Sequence, residues 1–248
     1  MEISIWSDFV CPFCYIGKRR LEEALDKFPY KEQVTVHFKS FELAPDAPKE
    51  SSKTIHEVLA AKYGMSIEQA KAANTNVAEQ AKTVGLTFNF ENMKPTNTLD
   101  AHRLAKFAAE KGKEAEMTER LLKAYFTDSL LISDIHILME IAEAVGLDKE
   151  ETLSFLKESR FTEEVRADEE EARRLGVQGV PFFVFNDKYA VSGAQPVEAF
   201  TAALQKVWEE ESESPALQKL SEGIEKGTIC TEESCDITTE PNDAKNNN

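Results

Sequence analysis

The chain has 248 residues, 42% of them hydrophobic, enough to bury a substantial core in one domain or in one domain carrying a large insertion. A formal net charge of −16 and a pI near 4.8 argue against a nucleic-acid binder or a protein drawn to an anionic membrane, because both need clustered Lys and Arg. No apolar run approaches the roughly 20 residues of a membrane helix, and four cysteines are too few for a disulfide framework.

Residues 2–6, with Ile3, Ile5 and Trp6, read as a short strand. Glu2 leads straight into it, with no basic start, apolar stretch or small-residue cleavage site, so the expected compartment is the cytoplasm. Residues 12–28 read as an amphipathic helix with Leu21, Leu25 and Phe28 on one face and Lys18, Arg19, Glu22 and Glu23 on the other. Cys11-Pro12-Phe13-Cys14 lies at the junction. Two thiols separated by two residues on a first helical turn can close a small disulfide, and the helix start offers free N–H groups and a positive dipole end to a thiolate. Cys11 is therefore the expected nucleophile and Cys14, one turn further in, the resolving thiol. A thiolate stabilised there is also a better leaving group, which makes such a disulfide easier to reduce.

Val34, Val36 and Phe38 alternate with Thr35, His37 and Lys39, predicting a half-buried second strand parallel to the first in a βαβ unit. From about Thr54 to Gly176 the period is helical. Stripes run through Leu99, Leu104 and Phe107, through Leu121, Leu122, Tyr125 and Phe126, through Leu138, Ile141 and Val145, and through Leu153 and Leu156. Gly64, Gly85, Pro95, Gly112 and Gly146 divide the stretch into several helices, and Ser133-Asp134 has the character of an N-cap. The acidic run 168–171, led by Asp168, is expected to be a solvated helix face.

Phe182-Phe183-Val184-Phe185 is a continuous apolar run, predicting a strand buried on both faces. Asn186-Asp187-Lys188 is a turn, and Tyr189-Ala190-Val191 returns as a hairpin strand. Pro196 opens a last core helix with Phe200, Leu204, Val207 and Trp208 on one face, and the run 209–213 marks the edge of the packed domain. A short helix is expected near 215–226, then Cys230 and Cys235, then a disordered end at 243–248.

A strand, C-x-x-C, a helix, a second strand, and later a β-hairpin with a closing helix is the thioredoxin order interrupted by an insertion. Gly179-Val180-Pro181-Phe182 supplies the proline expected before the third strand. Asp8-Phe9-Val10-Cys11-Pro12-Phe13-Cys14-Tyr15-Ile16-Gly17, Asn97-Thr98 with Ala101-His102-Arg103, residues 176–184 and Ser192-Gly193-Ala194-Gln195 together resemble the FrnE-like branch of the DsbA family, to about Trp208. The resemblance implies an α/β thioredoxin fold with a large all-helical insertion between the second and third strands. It also implies disulfide exchange through Cys11 and Cys14, and a cis Val180–Pro181 bond that presents the Val180 backbone to a substrate strand. Some members of that branch carry a second cysteine pair, which Cys230 and Cys235 resemble. The Pro12-Phe13 dipeptide departs from the Pro-His of periplasmic DsbA, so strong oxidising power does not carry over.

The expected organisation is residues 1–53 and 177–210 as a thioredoxin-like part, 54–176 as an inserted helical domain, and 211–248 as an acidic extension with a C-x-x-x-x-C pair. The expected function is protein dithiol–disulfide exchange with no organic cofactor and no metal. Its partners would be protein or small-molecule thiols and disulfides, not nucleic acid or membrane. Pro12, Phe13, Asn97 and His102 are candidates for a substrate groove, and Cys230 with Cys235 for a second redox pair, against a reading of that pair as a tail staple. A four-thiolate zinc site is the bland alternative, and a helix start with a pair two hundred residues away makes a poor knuckle for it. The rival enzyme class is the glutathione-dependent kappa-class transferase or hydroxychromene-carboxylate isomerase, which carries a serine-type residue at the first active-site position. The presence of both Cys11 and Cys14 speaks against it.

Overall fold

Strand-forming alternation and the apolar run at 182–185 build a four-stranded sheet in which the strands lie side by side in the chain order second, first, third, fourth. The structure, a computed structural model, describes residues 1–213. The strands are β1 (Glu2–Ser7), β2 (Thr35–Ser40), β3 (Phe182–Phe185) and β4 (Tyr189–Ser192). β1 pairs parallel with β2, Ile3 opposite Val36 and Ile5 opposite Phe38, as the βαβ reading requires. β3 runs antiparallel to β1, placing Phe182 opposite Trp6, and β4 folds back on β3. Asn186 and Asp187 make the tight turn with φ of 47° and 52°, the left-handed conformation that hairpin turns demand and Asn and Asp tolerate.

Helix α1 (Pro12–Asp26) crosses between β1 and β2 and has two buried faces. Leu21, Ala24 and Phe28 just beyond it pack with Ile3, Ile5, Phe183 and Phe185 of the sheet and with Phe200, Leu204 and Val207 of α9 (Val197–Glu213). Tyr15 and Ile16 belong instead to the core of the inserted helices. α1 thus joins the two cores, and its first turn lies where they meet. β3 is buried on both faces as predicted: Phe183 and Phe185 face α1 and α9, and Val184 packs with Trp6 and Ala172 on the other side.

Seven helices fill the connection from β2 to β3: α2 (Ile55–Tyr63), α3 (Ile67–Lys82), α4 (Leu99–Glu110), α5 (Glu114–Phe126), α6 (Ile135–Ala144), α7 (Lys149–Lys157) and α8 (Thr162–Arg174). Their starts follow local chemistry. Thr54 with Glu57 and Ser66 with Gln69 form capping boxes, and the Asp134 and Asp148 carboxylates accept from the N–H groups of His136 and Glu151. Gly64 ends α2 with φ +63°, a left-handed cap that costs a glycine nothing.

One expectation is corrected. The run 168–171 is not a solvated face throughout, because Asp168 is 6% exposed. Its Oδ2 accepts from the Ser40 N–H at 2.8 Å and from Lys106 Nζ at 2.5 Å, and its backbone oxygen accepts from Trp6 Nε1 at 2.8 Å. A carboxylate on α8 therefore fastens that helix to the ends of β1 and β2 and to α4. Glu169 accepts from the Glu42 N–H at 3.0 Å and pairs with Arg166, while Glu170 pairs with the exposed Arg173 and Arg174. Periodicity alone could not reveal this, since the same sequence spacing suits a wet face and an ionic seam.

Met1–Glu210 form one compact unit, which holds both the sheet and the inserted helices. The helix expected near 215–226, the Cys230–Cys235 pair and the end at 243–248 lie outside the described residues.

Candidate active site

β1 ends in Ser7-Asp8, and a turn in which the Cys11 N–H donates to the Asp8 carbonyl at 3.1 Å delivers Cys11 to the start of α1. Cys11 is the N-cap residue, in extended conformation, and Pro12 takes the first helical position, where its missing N–H costs no hydrogen bond. Cys11 is 5% exposed and Cys14 3% exposed, and both are free thiols. Burial pushes the Cys14 thiol well above its ordinary value, and its hydrogen bond to the adjoining Cys11 pushes the same way; the Ser7 hydroxyl and the Asp8 N–H, which face its sulfur, pull back.

Across from Cys11 lies the chain leading into β3. The Val180–Pro181 bond is cis, and the Cys11 thiol donates to the Val180 carbonyl at 3.5 Å. Gly17 makes this proximity possible: a Cβ there would stand 3.1 Å from Phe183 Cζ, 3.2 Å from Pro181 Cγ and 3.4 Å from Ala194 Cα. The Gly193 N–H donates to the Pro181 carbonyl at 2.8 Å, and Arg20 of α1 donates to the Ala194 carbonyl, tying the helix to the same loop.

Behind the cysteines the polar groups are buried in pairs. Asp8, fully buried, accepts from the Leu43 N–H at 2.8 Å through Oδ2, and its Oδ1 faces His102 Nε2 at 3.3 Å. His102 is 3% exposed and packs against Phe9, the two rings tilted by 41°. Glu42 pairs with Arg166 at 2.5 Å; burial raises its carboxyl, and that arginine opposes the rise. On the outer side of α1, Glu119 of α5 receives Tyr15, Lys18 and Arg19, and these partners hold its carboxyl below the ordinary range despite burial.

In front of Cys11 opens a largely apolar groove of roughly 1000 Å³, bounded by Val10, Pro12 and Phe13, by the segment 43–53, and by α2, α3 and the end of α5. Phe13 is 40% exposed beside it. Of the candidate groove residues, Pro12 and Phe13 lie on its wall. Asn97 donates to the Pro45 carbonyl at 2.9 Å and so holds the 43–53 segment, while His102 sits in the buried layer with Asp8. Sequence reading did not single out Ser7, Asp8, Glu42 or Gly17 for any role; the one signal was two polar residues closing an apolar strand just before the cysteines. Among the described residues no group of three or more His, Cys, Asp and Glu side chains is placed to hold a metal ion. No described helix is long and apolar enough to cross a membrane.

The fold that carries these two thiols is shared with known proteins. The chain is 39% identical to a probable DsbA oxidoreductase from Streptomyces coelicolor, whose crystal structure superposes with a TM-score of 0.84 over 96% of this chain and 100% of that one. It is 30% identical over 206 residues to the uncharacterized protein YwbO of Bacillus subtilis (strain 168), covering 82% of this chain and 96% of the relative. The cytosolic disulfide reductase DsbM from Pseudomonas aeruginosa has the same fold, with a TM-score of 0.60 at 14% identity over 85% of this chain and 100% of that one. A family model described as the DSBA-like thioredoxin domain matches residues 2–205, from the first residues of β1 into α9, and by that match the chain belongs to the DSBA-like thioredoxin domain family.

Proposed function

We propose that the protein is a dithiol–disulfide oxidoreductase of the FrnE-like type, acting through Cys11-Pro12-Phe13-Cys14 by way of a mixed disulfide. The observation that carries this reading is the meeting of the Cys11 thiol, at a helix N-terminus, with the Val180 carbonyl at 3.5 Å beside the cis Val180–Pro181 bond. In the reducing direction the Cys11 thiolate attacks one sulfur of a client disulfide, the client's other sulfur leaves as a thiolate, and a Cys11–client disulfide forms. Cys14 then attacks Cys11 and releases the second client thiol. The client gains two electrons and the Cys11–Cys14 pair becomes a disulfide; the oxidising direction runs the same steps backwards. The Val180 backbone aligns the client chain, while Pro12 and Phe13 offer it an apolar contact.

Its partners are protein or small-molecule thiols and disulfides, and four cysteines in a chain of this size suit a reducing compartment such as the cytoplasm. Cys230 and Cys235 serve as a second pair exchanging with the first, since tethering on one chain raises effective concentration to around the millimolar range. The test is a trap: Cys14→Ala should accumulate covalent client adducts that dithiothreitol releases, and Cys11→Ser should accumulate none. A Cys14→Ala protein free of adducts after incubation with insulin or oxidised glutathione, alongside an inactive wild type, defeats the proposal. Glutathione conjugation by the wild type without insulin reduction would favour the transferase class instead.

A further inference from the structure

Resolution of a mixed disulfide needs Cys14 as a thiolate, yet this thiol is 3% exposed and held protonated by burial. Its proton has to leave through the protein. The Ser7 hydroxyl, at the end of β1, faces the Cys14 sulfur. Ser7 also borders a narrow cavity of about 20 Å³, whose walls are mostly apolar but include Ser40, His102, Lys106, Glu114 and Thr118. That volume suits one water. Thr118 Oγ1 is buried there with no protein partner, on a residue 1% exposed. An orphaned hydroxyl beside a water-sized space that Ser7 and Glu114 also reach is the mark of a bound water, because leaving it unmet costs about 1–3 kcal/mol.

The groups around this cavity differ in what they can accept. Asp8 is fully buried and engaged by Leu43 and His102, and His102 turns Nε2 to Asp8. The Lys106 ammonium, like that of Lys39, is taken by Asp168. Glu114, at the start of α5, differs. Its Oε1 accepts from the Phe38 N–H at 3.0 Å, and its Oε2 lies 4.0 Å from His37 Nδ1 on a side chain 26% exposed, so a proton that reaches it has an exit. The charged groups facing it are His37 from β2, Lys106 from α4 and Asp168 from α8; burial raises its carboxyl, the first two lower it and Asp168 raises it.

We propose that Ser7, a water held by Thr118 and the Glu114 carboxylate form the path by which the Cys14 proton leaves and returns. This rests on the disulfide-exchange reading. When Cys14 attacks Cys11 of a mixed disulfide, its proton passes to Ser7, the Ser7 proton to the water, and a water proton to Glu114. The S–S bond to the client breaks, and the client thiolate takes its proton from solvent. When the Cys11–Cys14 disulfide is opened, Cys14 departs as a thiolate and the same path returns the proton. Ser7 touches the reacting sulfur; Thr118 is a positioning residue.

The test uses the full-length chain with Cys230→Ser and Cys235→Ser, reduced and mixed with dithionitrobenzoate. Attack by Cys11 releases one thionitrobenzoate, and resolution by Cys14 releases a second, so one absorbance trace separates the two steps. Glu114→Gln, whose amide oxygen can still accept from Phe38, and Ser7→Ala should each lower the ratio of second-phase to first-phase rate by about a hundredfold near pH 7, the low end of what a positioned proton acceptor contributes. Glu114→Gln should also erase the fall of the second phase at acid pH that titration of this carboxylate produces, an effect a merely structural residue would not have. Thr118→Val, which keeps the shape and removes the hydroxyl, should lower the ratio as well. Unchanged ratios in Ser7→Ala and Thr118→Val would overturn the relay. A Cys14→Ala protein that releases as much thionitrobenzoate as its parent would overturn the exchange reading itself, and the relay with it.

Discussion

Replacing Gly17 by alanine tests whether the contact between α1 and the Pro181 loop is as close as described. At an ordinary interior helix position this change stabilises by roughly 1 kcal/mol, because glycine loses the most backbone freedom on folding. Here the new methyl would stand 3.1 Å from Phe183 Cζ, 3.2 Å from Pro181 Cγ and 3.4 Å from Ala194 Cα. Phe183 is fully buried between α1 and α9, with its ring edge-on to Phe200 at 4.8 Å, so it has nowhere to turn. The proline ring and the Ala194 backbone are no more yielding. Overpacking of this kind costs about 1–3 kcal/mol, so the net expectation is a loss of ~1 kcal/mol and a fall in melting temperature of about 2–4 °C for a domain of this size. The shift that relieves the clash moves Pro181 away from α1 and widens the 3.5 Å approach of Val180 to Cys11, so insulin reduction should slow a few-fold, a modest share of what a 1 Å misplacement can cost. Gly17→Val should be worse on both counts. Thermal unfolding followed by fluorescence and the insulin assay on the same preparation measure both effects. A Gly17→Ala protein that melts higher than wild type and reduces insulin at full rate would refute the reasoning.

Asp168→Ala should destabilise by ~3 kcal/mol in urea unfolding, because the buried Ser40 N–H loses its acceptor and Lys106 its partner; both lysines near Asp168 keep some access to water, which limits the loss. Glu119 is held below the ordinary carboxylate value of 4.5 when folded, so its contribution is complete above that pH and lost as pH falls through its folded value. Glu119→Gln should therefore lower stability at neutral pH and flatten its decline below about pH 4.5, and an equal decline in both proteins would rule out this cause. The double change Cys230→Ser with Cys235→Ser should slow turnover or reoxidation while leaving the Cys14→Ala trap intact; unchanged kinetics in both directions would remove the second pair from the cycle.

Much of the architecture was legible because it rests on local rules. Period-two alternation gave β2, and an unbroken apolar run gave a β3 that is buried on both faces. Helical stripes and glycine punctuation marked out an insertion that contains α2 to α8. Cys11 and Cys14 stood out because a C-x-x-C pair fell between a strand and a helix, and Pro181 because the thioredoxin order calls for a proline before the third strand. The acidic run at 168–171 misled, since a carboxylate's surroundings are set by what packs on it. Lys106 and the Ser40 N–H meet Asp168 from elements more than sixty residues away in sequence.

What the amino-acid order determined by itself is the chemistry on offer: two thiols on the first turn of a helix, a strand to carry them and a proline to face them. Only the tertiary structure decided which groups surround those thiols. It set Ser7 and Asp8 behind Cys14, brought Glu114 from an inserted helix to the same cavity wall, and put Gly17 where a single methyl would not fit. The reason is physical: propensity and periodicity act over a few neighbouring residues, whereas desolvation, ion pairing and close approach depend on which distant segments the fold brings together.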